Sequence, residues 1–517
     1  MKLKKTERTG LINRREFLEL TTAGVAGAGF AFKSSFFSDE KDEWDPYRPL
    51  IVTGKELKVQ PILMYGISER KEENSWRSWG GIYTEQAASE EAERISKELM
   101  QLSADADFPI QILPLVKIKS VEEALKVRNK EYDTILLYGA KGKGDIFETC
   151  VSEKKDTIIF VRHSSGPFYR WYQALRDIYI ENGEKEAEQY TPLNPGKAYI
   201  YDVVVDEYQD VLWRLRALYG VKNFIGSRIV ALGGVVGKYC LEAPEYAKEK
   251  YKIEIIDVSY NDIEKRIKSA RSDRNLVSKT EKWTEKYLSM PNTALMTDKK
   301  FVVNAFLLYS IFKDLMRENN APAFTIRHCM KTIIPISKTT ACLPLSLISD
   351  EGPMAFCESD FVIIPSGILL HHISGKPVFL HNSTFPHKGM VTCAHCTSPR
   401  RMDGKNYNPV KVMTHYESDF GAAPKVEIPE GQEVTFIDPE YCTGRWIGFK
   451  GTVKSNPFYQ ICRSQQDVEI QGDWKKLLKE VRDSHWMMAV GDYLKEIEYA
   501  SRKIGISFEN ISSNYLI

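Results

Sequence analysis

Between residues 61 and 258 the chain alternates short apolar runs with stretches whose apolar residues recur at helical spacing, and this alternation is the tightest constraint on its fold. Pro61 to Ile67 is an apolar run that meets a glycine, the pattern of a strand buried on both faces. Ala87 to Leu102 predicts a helix, Ile110 to Val116 a strand, Val121 to Val127 a helix, and Thr134 to Tyr138 and Thr157 to Val161 two more strands. A second set follows: strand Ala198 to Val205, a helix around Tyr208 to Leu218, strand Arg228 to Leu232, a helix containing Tyr246 to Lys250, and strand Ile253 to Val258. Strands separated by helices pair in parallel, so the sequence predicts an α/β protein with two doubly wound α/β domains, at 51–195 and 196–352, with ligands outside the carboxyl ends of the strands.

The pattern then changes. Residues 270 to 320 read as helical, with Phe301 to Met316 apolar on one face. Beyond about residue 375 come short β-like runs separated by turn residues (Pro377 to Leu380, Lys425 to Ile428, Val434 to Ile437, Val468 to Ile470) and one last helix, Tyr493 to Lys503. A β-rich C-terminal domain over 353–517 is expected. A length of 517 residues suits about three domains.

Composition narrows the class. Lys plus Arg (71) nearly cancels Asp plus Glu (70), so no basic excess exists to neutralise a run of phosphates, and nucleic-acid binding is disfavoured. No uncharged apolar run reaches the ~18 residues that span a bilayer. Nine cysteines, odd in number and scattered, are unlike a disulfide-stapled secreted framework.

The first 32 residues read as an export signal. Arg14 and Arg15, followed by Phe17 and Leu18, lead from a Lys-rich start into the weakly apolar run Leu20 to Phe32, which resembles a twin-arginine signal. Gly24, Gly27 and Gly29 would each weaken an ordinary helix there by about 1 kcal/mol. Residues 33–50 form a linker, and the expected location is periplasmic or exported. Two glycine-rich loops, Gly139 to Gly144 and Gly233 to Lys238, each follow a strand, but neither has the Gly-Lys-Ser/Thr ending of a triphosphate loop.

Six of the nine histidines lie between residues 328 and 395. Glu358 and Asp360 stand beside the apolar run Phe361 to Leu370, where an unpaired charge is costly, so either a cation partners them or they cap the following helix. Oxygen ligands with one imidazole suit Mn or Mg, whereas Cys393, His395 and Cys396 together would suit Zn. For that Cys-x-x-Cys segment packing against a turn, a pocket role for His395, a redox disulfide and Zn binding all remain open. His371 and His372 are adjacent, and at most one is expected to face the core.

Cys357-Glu358-Ser359-Asp360, with Ser374 to Phe379 downstream, resembles the Glu-Asn-Asp segment of L-fucose isomerase and its neighbouring strand. Ser484-His485, running on through Gly491-Asp492 to Ile504, resembles the same family's Asn-His-Gly segment and the helix after it. The resemblance implies two α/β domains followed by a barrel-like C-terminal domain, and a Mn-dependent aldose-ketose isomerase in which carboxylates shuttle protons through an ene-diol. It further implies a homo-oligomer and a small sugar as substrate. Asp360 takes the place of the second metal carboxylate and His485 that of the metal histidine, which requires residues 125 positions apart to converge. The first carboxylate has no counterpart, since Pro322 to Ile348 contains no Asp or Glu. Glu358 is the substitute, with Asp350 and Glu351 nearby, and Asp492 stands where the family has a histidine. Two functions follow: a metal-dependent sugar isomerase, or an exported non-catalytic sugar-binding homologue that has lost one carboxylate.

Overall fold

The structure, a computed structural model, describes residues 43–512 apart from 68, 75, 78–80, 142–143, 152–154, 164–197, 441–443 and 482. The signal segment, with Arg14 and Arg15, and the linker up to residue 42 lie outside the described residues.

The first sheet is parallel, in the order Ile110–Ile112, Leu57–Met64, Thr134–Gly139, Asp156–Val161, Val203–Val205, with Val116–Ile118 also pairing on Leu57–Met64. Pro61 sits inside the central strand although it has no N–H to give. It falls between the segment paired with 110–112 and the segment paired with 116–118, and the Gln60 amide donates to the Pro114 carbonyl there at 2.9 Å. The expectation that Val205 ends the opening strand of a second sheet is corrected: Val203 to Val205 pair with Ile159 to Val161 and close the first sheet. An apolar run records burial, and the neighbour it pairs with is chosen by tertiary packing.

The second sheet is also parallel, in the order Met354–Cys357, Ala323–Ile326, Arg228–Leu232, Glu254–Val258, so it extends past residue 352. Helix Lys299–Glu318 buries Phe306, Phe312 and Leu315 toward it, and Asp298 caps that helix through the Lys300 amide. Six antiparallel strands then close a barrel: Glu433–Pro439, His485–Val490, Phe379–Ser383, Met390–His395, Ser464–Gln471 and Arg445–Ser455, the last pairing back to the first. Closure leaves no open edge among these six, and Ser507–Asn510 adds in parallel to Arg445–Ser455. Among the described residues no single helix is long and apolar enough to cross a membrane.

Helix Ile364–Ser374 fills the junction between these bodies. It is apolar all round and buried along its whole length, packed against helix Tyr208–Phe224 and the barrel strand His485–Val490. A Cβ at Gly220 would collide with Ile373, so the two helices approach this closely only because residue 220 is glycine. Both His371 and His372 are buried, contrary to the expectation that only one would face the core, because this helix has no solvent face. His371 Nδ1 meets the Lys376 carbonyl at 2.8 Å, and burial pulls its pKa down to about 4, so it is neutral. A buried latch ties the last helix to the first sheet: Lys503 Nζ stands 2.8 Å from Asp202, which also accepts from Tyr499.

Candidate metal centre

The site is assembled where the carboxyl edge of the second sheet meets the barrel. Strand Arg228–Leu232 runs into Gly233 and Gly234, both at positive φ (79° and 90°), and on to Lys238. Strand Met354–Cys357 runs into Glu358 and Ser359, again at positive φ (66° and 51°). Two consecutive non-glycine residues in this region cost on the order of 1–3 kcal/mol each and persist only where the surroundings hold them. The hold is visible: Val236 N donates to the Ser359 carbonyl (3.1 Å) and Phe361 N donates to the Val236 carbonyl (2.8 Å). The turn leaves Glu358 half exposed and drives Ser359 and Asp360 inside.

Asp360 divides its two oxygens. Oδ1 accepts from the amides of Lys238 (3.1 Å) and Val362 (3.2 Å), while Oδ2 lies 2.8 Å from His485 Nδ1. The helix-cap expectation for this residue is corrected: helix Ile364–Ser374 has no side-chain cap, and Oδ1 holds the turn before it while Oδ2 faces His485. His485 opens its barrel strand and is completely buried. Its Nε2 is 3.3 Å from Glu358 Oε2 and 3.1 Å from Lys238 Nζ. Two residues earlier, Asp483 accepts the Ser484 and His485 amides on Oδ1, while its buried Oδ2 has no hydrogen-bond partner. One ligand atom each from Asp360, Asp483 and His485 lies within 4.8 Å of the others.

The charges are strongly coupled. Burial works to raise Glu358, but hydrogen bonds from His395 and His485 overcome it and hold the carboxyl well below the usual range. For His485 burial acts downward, and contacts with Asp360 and Glu358 reverse it, holding the imidazole up at about 9. Burial, reinforced by the Asp360 charge, pushes Asp483 up to about 6. The carboxylates of Asp360 and Glu358 facing one buried imidazole mark a pocket that demands positive charge, a demand that an imidazolium or a divalent cation held by the neutral imidazole would meet.

Of the residues singled out in the sequence, Asp360 and His485 fall in the metal-capable group, whereas Glu358, expected as a ligand with them, contacts His485 but is not in that group, where Asp483 stands instead. His395 adjoins Glu358, with Nε2 3.6 Å from Glu358 Oε1 and Nδ1 3.1 Å from Thr397 Oγ1. Asp492 is not among the converging residues. It pairs with Lys450 at 2.8 Å just beyond the far end of strand His485–Val490, which at ~3.3 Å per residue puts it about 20 Å from His485. Asp350 accepts the amides of Arg400 and Arg401, and Glu351 pairs with Lys313 at 2.6 Å, so both are committed elsewhere. Cys393 faces the barrel core and Cys396 belongs to a different cluster, so this Cys-x-x-Cys segment does not act as a unit. Among the described residues Asp360, Asp483 and His485 form the only metal-capable group of three.

Two site residues carry little signal in the sequence. Asp483 precedes the Ser484-His485 motif by one residue, and an Asp-x-His spacing is its only mark. Lys238 ends the glycine-rich loop that fails as a triphosphate loop but lies at the carboxyl edge of a strand. A cleft of about 240 Å³, lined by Tyr239, Ser383, Phe385, Asp483, Ser484 and Trp486, leads up to the site. No known protein family matches this chain, and no curated protein is similar to it.

Proposed function

We propose that this chain is a divalent-metal-dependent carbohydrate enzyme of the aldose-ketose isomerase type, L-fucose isomerase-like in architecture, with Asp360, Asp483 and His485 as the ligand set. One observation carries the reading: three buried metal-capable side chains converge within 4.8 Å, one of them with an orphaned carboxylate oxygen. On this reading the first carboxylate, absent upstream of Asp360, is supplied from downstream by Asp483. Two carboxylates and one imidazole favour Mn or Mg. A bound ion supplies carbonyl polarisation and oxyanion stabilisation. Glu358, half exposed and outside the ligand set, is the carboxylate placed to exchange a proton with a bound sugar. Lys238 adds positive charge where negative charge develops. The cleft is smaller than the ~300–1,000 Å³ of drug-sized sites and suits a monosaccharide. The same reading includes export through the twin-arginine route to the periplasm and a homo-oligomer.

Lys238 also favours the second reading. Its ammonium already stands beside Glu358 and His485, at 3.7 and 3.1 Å, as a metal would. A pocket neutralised this way suits an exported sugar-binding protein without catalysis. Purified protein incubated with Mn and a panel of pentoses and 6-deoxyhexoses decides between them. Ketose formation supports the isomerase, saturable sugar binding without turnover supports the binding protein, and neither result leaves both readings without support.

A further inference from the structure

Three thiols from distant parts of the chain meet in one small packed cluster. The antiparallel pairing of Met390–His395 with Ser464–Gln471 ends at His395 opposite Ser464. One step further, Arg463 N donates to Cys396 Sγ at 3.4 Å, which brings Cys462 alongside. Cys342, the first residue of helix Cys342–Glu351, reaches the same sulfur from the other side. Cys396 neighbours both Cys342 and Cys462, and the three pack with Ala423 in a small cluster of their own. Cys342 and Cys396 are buried, and Cys462 is partly exposed. None of the three is a residue of the candidate metal group, and these three sulfurs do not all lie within ligating distance of one another. Cys396 is the thiol that both others neighbour, which suits sulfur-sulfur bonding better than a shared ion.

We propose that Cys396 is the shared sulfur of a redox disulfide site, bonded to Cys462, and by exchange to Cys342, after reaction with a small-molecule disulfide. The Cys462 thiolate attacks the small disulfide, forming a mixed disulfide and releasing one thiolate. The Cys396 thiolate then attacks Cys462 Sγ, the new protein disulfide forms and the second thiolate leaves. Two protein thiols are oxidised, one external disulfide is reduced to two thiols, and the two protons pass to those leaving groups. Attack of Cys342 on Cys396 Sγ moves the bond inward without net oxidation and frees Cys462. Contact with Cys342 pushes the Cys396 thiol up to about 12 and contact with Cys396 pushes the Cys462 thiol higher still, so attack by either is slow at neutral pH and quickens at alkaline pH, and the bond, once formed, resists reduction because no thiolate is stabilised in the reduced state. His395, the last residue of its strand, meets Glu358, while Cys396, one residue beyond the strand, joins this cluster. Oxidation would tether the end of the strand that carries His395, whatever reaction the site performs.

The test uses the full chain, folded, at pH 8.5 with oxidised glutathione, followed by alkylation under denaturing conditions and peptide mass spectrometry. The expected result is a loss of about 2 Da and a crosslinked peptide containing Cys396. Cys342→Ser should keep the Cys396–Cys462 bond at the wild-type rate. Cys462→Ser, without its outermost thiol, should oxidise at least tenfold more slowly. Cys396→Ala should form no disulfide in this cluster and should carry glutathione on Cys462. Where Cys396→Ala fails to fold, the Cys342→Ser/Cys462→Ser double variant retains Cys396 and should also give no disulfide. Absence of a Cys396 crosslink in folded wild type, or an unchanged crosslink yield in Cys396→Ala or in the double variant, overturns the proposal.

Discussion

The side-chain tips of Lys238 and His485 meet at 3.1 Å, Nζ to Nε2, and Glu358 closes a triangle with them at 3.7 and 3.3 Å. Lys238 is therefore both a neighbour of and a competitor for any cation at the site. Replacing it with Met, which keeps the length and removes the charge, should tighten Mn binding, because it removes the repulsion between the ammonium and a cation in the same pocket. Calorimetric titration with Mn should show a dissociation constant at least tenfold lower. An unchanged or weaker affinity would mean that the ion and the ammonium do not share one field.

Asp360→Ala, Asp483→Asn and His485→Ala should each weaken Mn binding by at least ~100-fold while leaving far-UV circular dichroism unchanged. Asp483→Asn is the most discriminating of the three, since its Oδ2 has no hydrogen bond to lose. Mn content equal to wild type in that variant would remove Asp483 from the ligand set.

Glu496, in the first turn of helix Leu494–Lys503, has its pKa pushed up to about 7 by burial, with Arg216 at 3.9 Å only partly offsetting it. Its folded-state pKa lies above the unfolded value, so its contribution is full below about pH 4.5 and is lost as pH rises through about 7. Gln at this position cannot ionise. Glu496→Gln should therefore match wild type in melting temperature near pH 5 and exceed it at pH 8.5, by a free energy on the order of 3 kcal/mol. A gap that does not widen between the two pH values refutes the burial account.

The Lys503–Asp202 latch, at 2.8 Å, is buried at both ends. Lys503→Met strands a buried carboxylate and should destabilise the chain by roughly 3–5 kcal/mol, read by urea denaturation. The Lys503→Met/Asp202→Asn double variant should recover most of the loss. Equal losses in the single and double variants would show that the ion pair is not the cause.

Arg14 and Arg15, replaced together by Lys, should leave the precursor inside the cell, measured by fractionation. Export at the wild-type level excludes the twin-arginine route.

Local elements and the two ends of the site are more legible in the sequence than the partnerships between them. Strands such as Thr134–Gly139 and Arg228–Leu232 are legible because a short apolar run between polar turns fits a strand buried on both faces and little else. The pairing of Val203–Val205 is not, since three valines fit either sheet equally well. Asp360 and His485 are legible through the motifs around them. Asp483 is not, because a carboxylate two residues from a histidine is common, and only the barrel wall around it makes its free oxygen costly. Lys238 is hidden for a different reason: its loop looks like failed phosphate chemistry, and what gives it a role is the Val236 bridge to Ser359, a contact between residues 123 positions apart.

The loops that build the site come from 233–238, 358–360 and 483–485, so no contiguous stretch of chain carries a working fragment of it. Contacts spanning more than a hundred residues form late in folding, because the entropy of closing such loops must be met first. An ion held here is therefore taken up only after the barrel has seated against the second sheet. For a chain exported in the folded state, cofactor loading and inspection of the finished fold become a single event: a molecule with an unseated barrel has nothing with which to hold the ion.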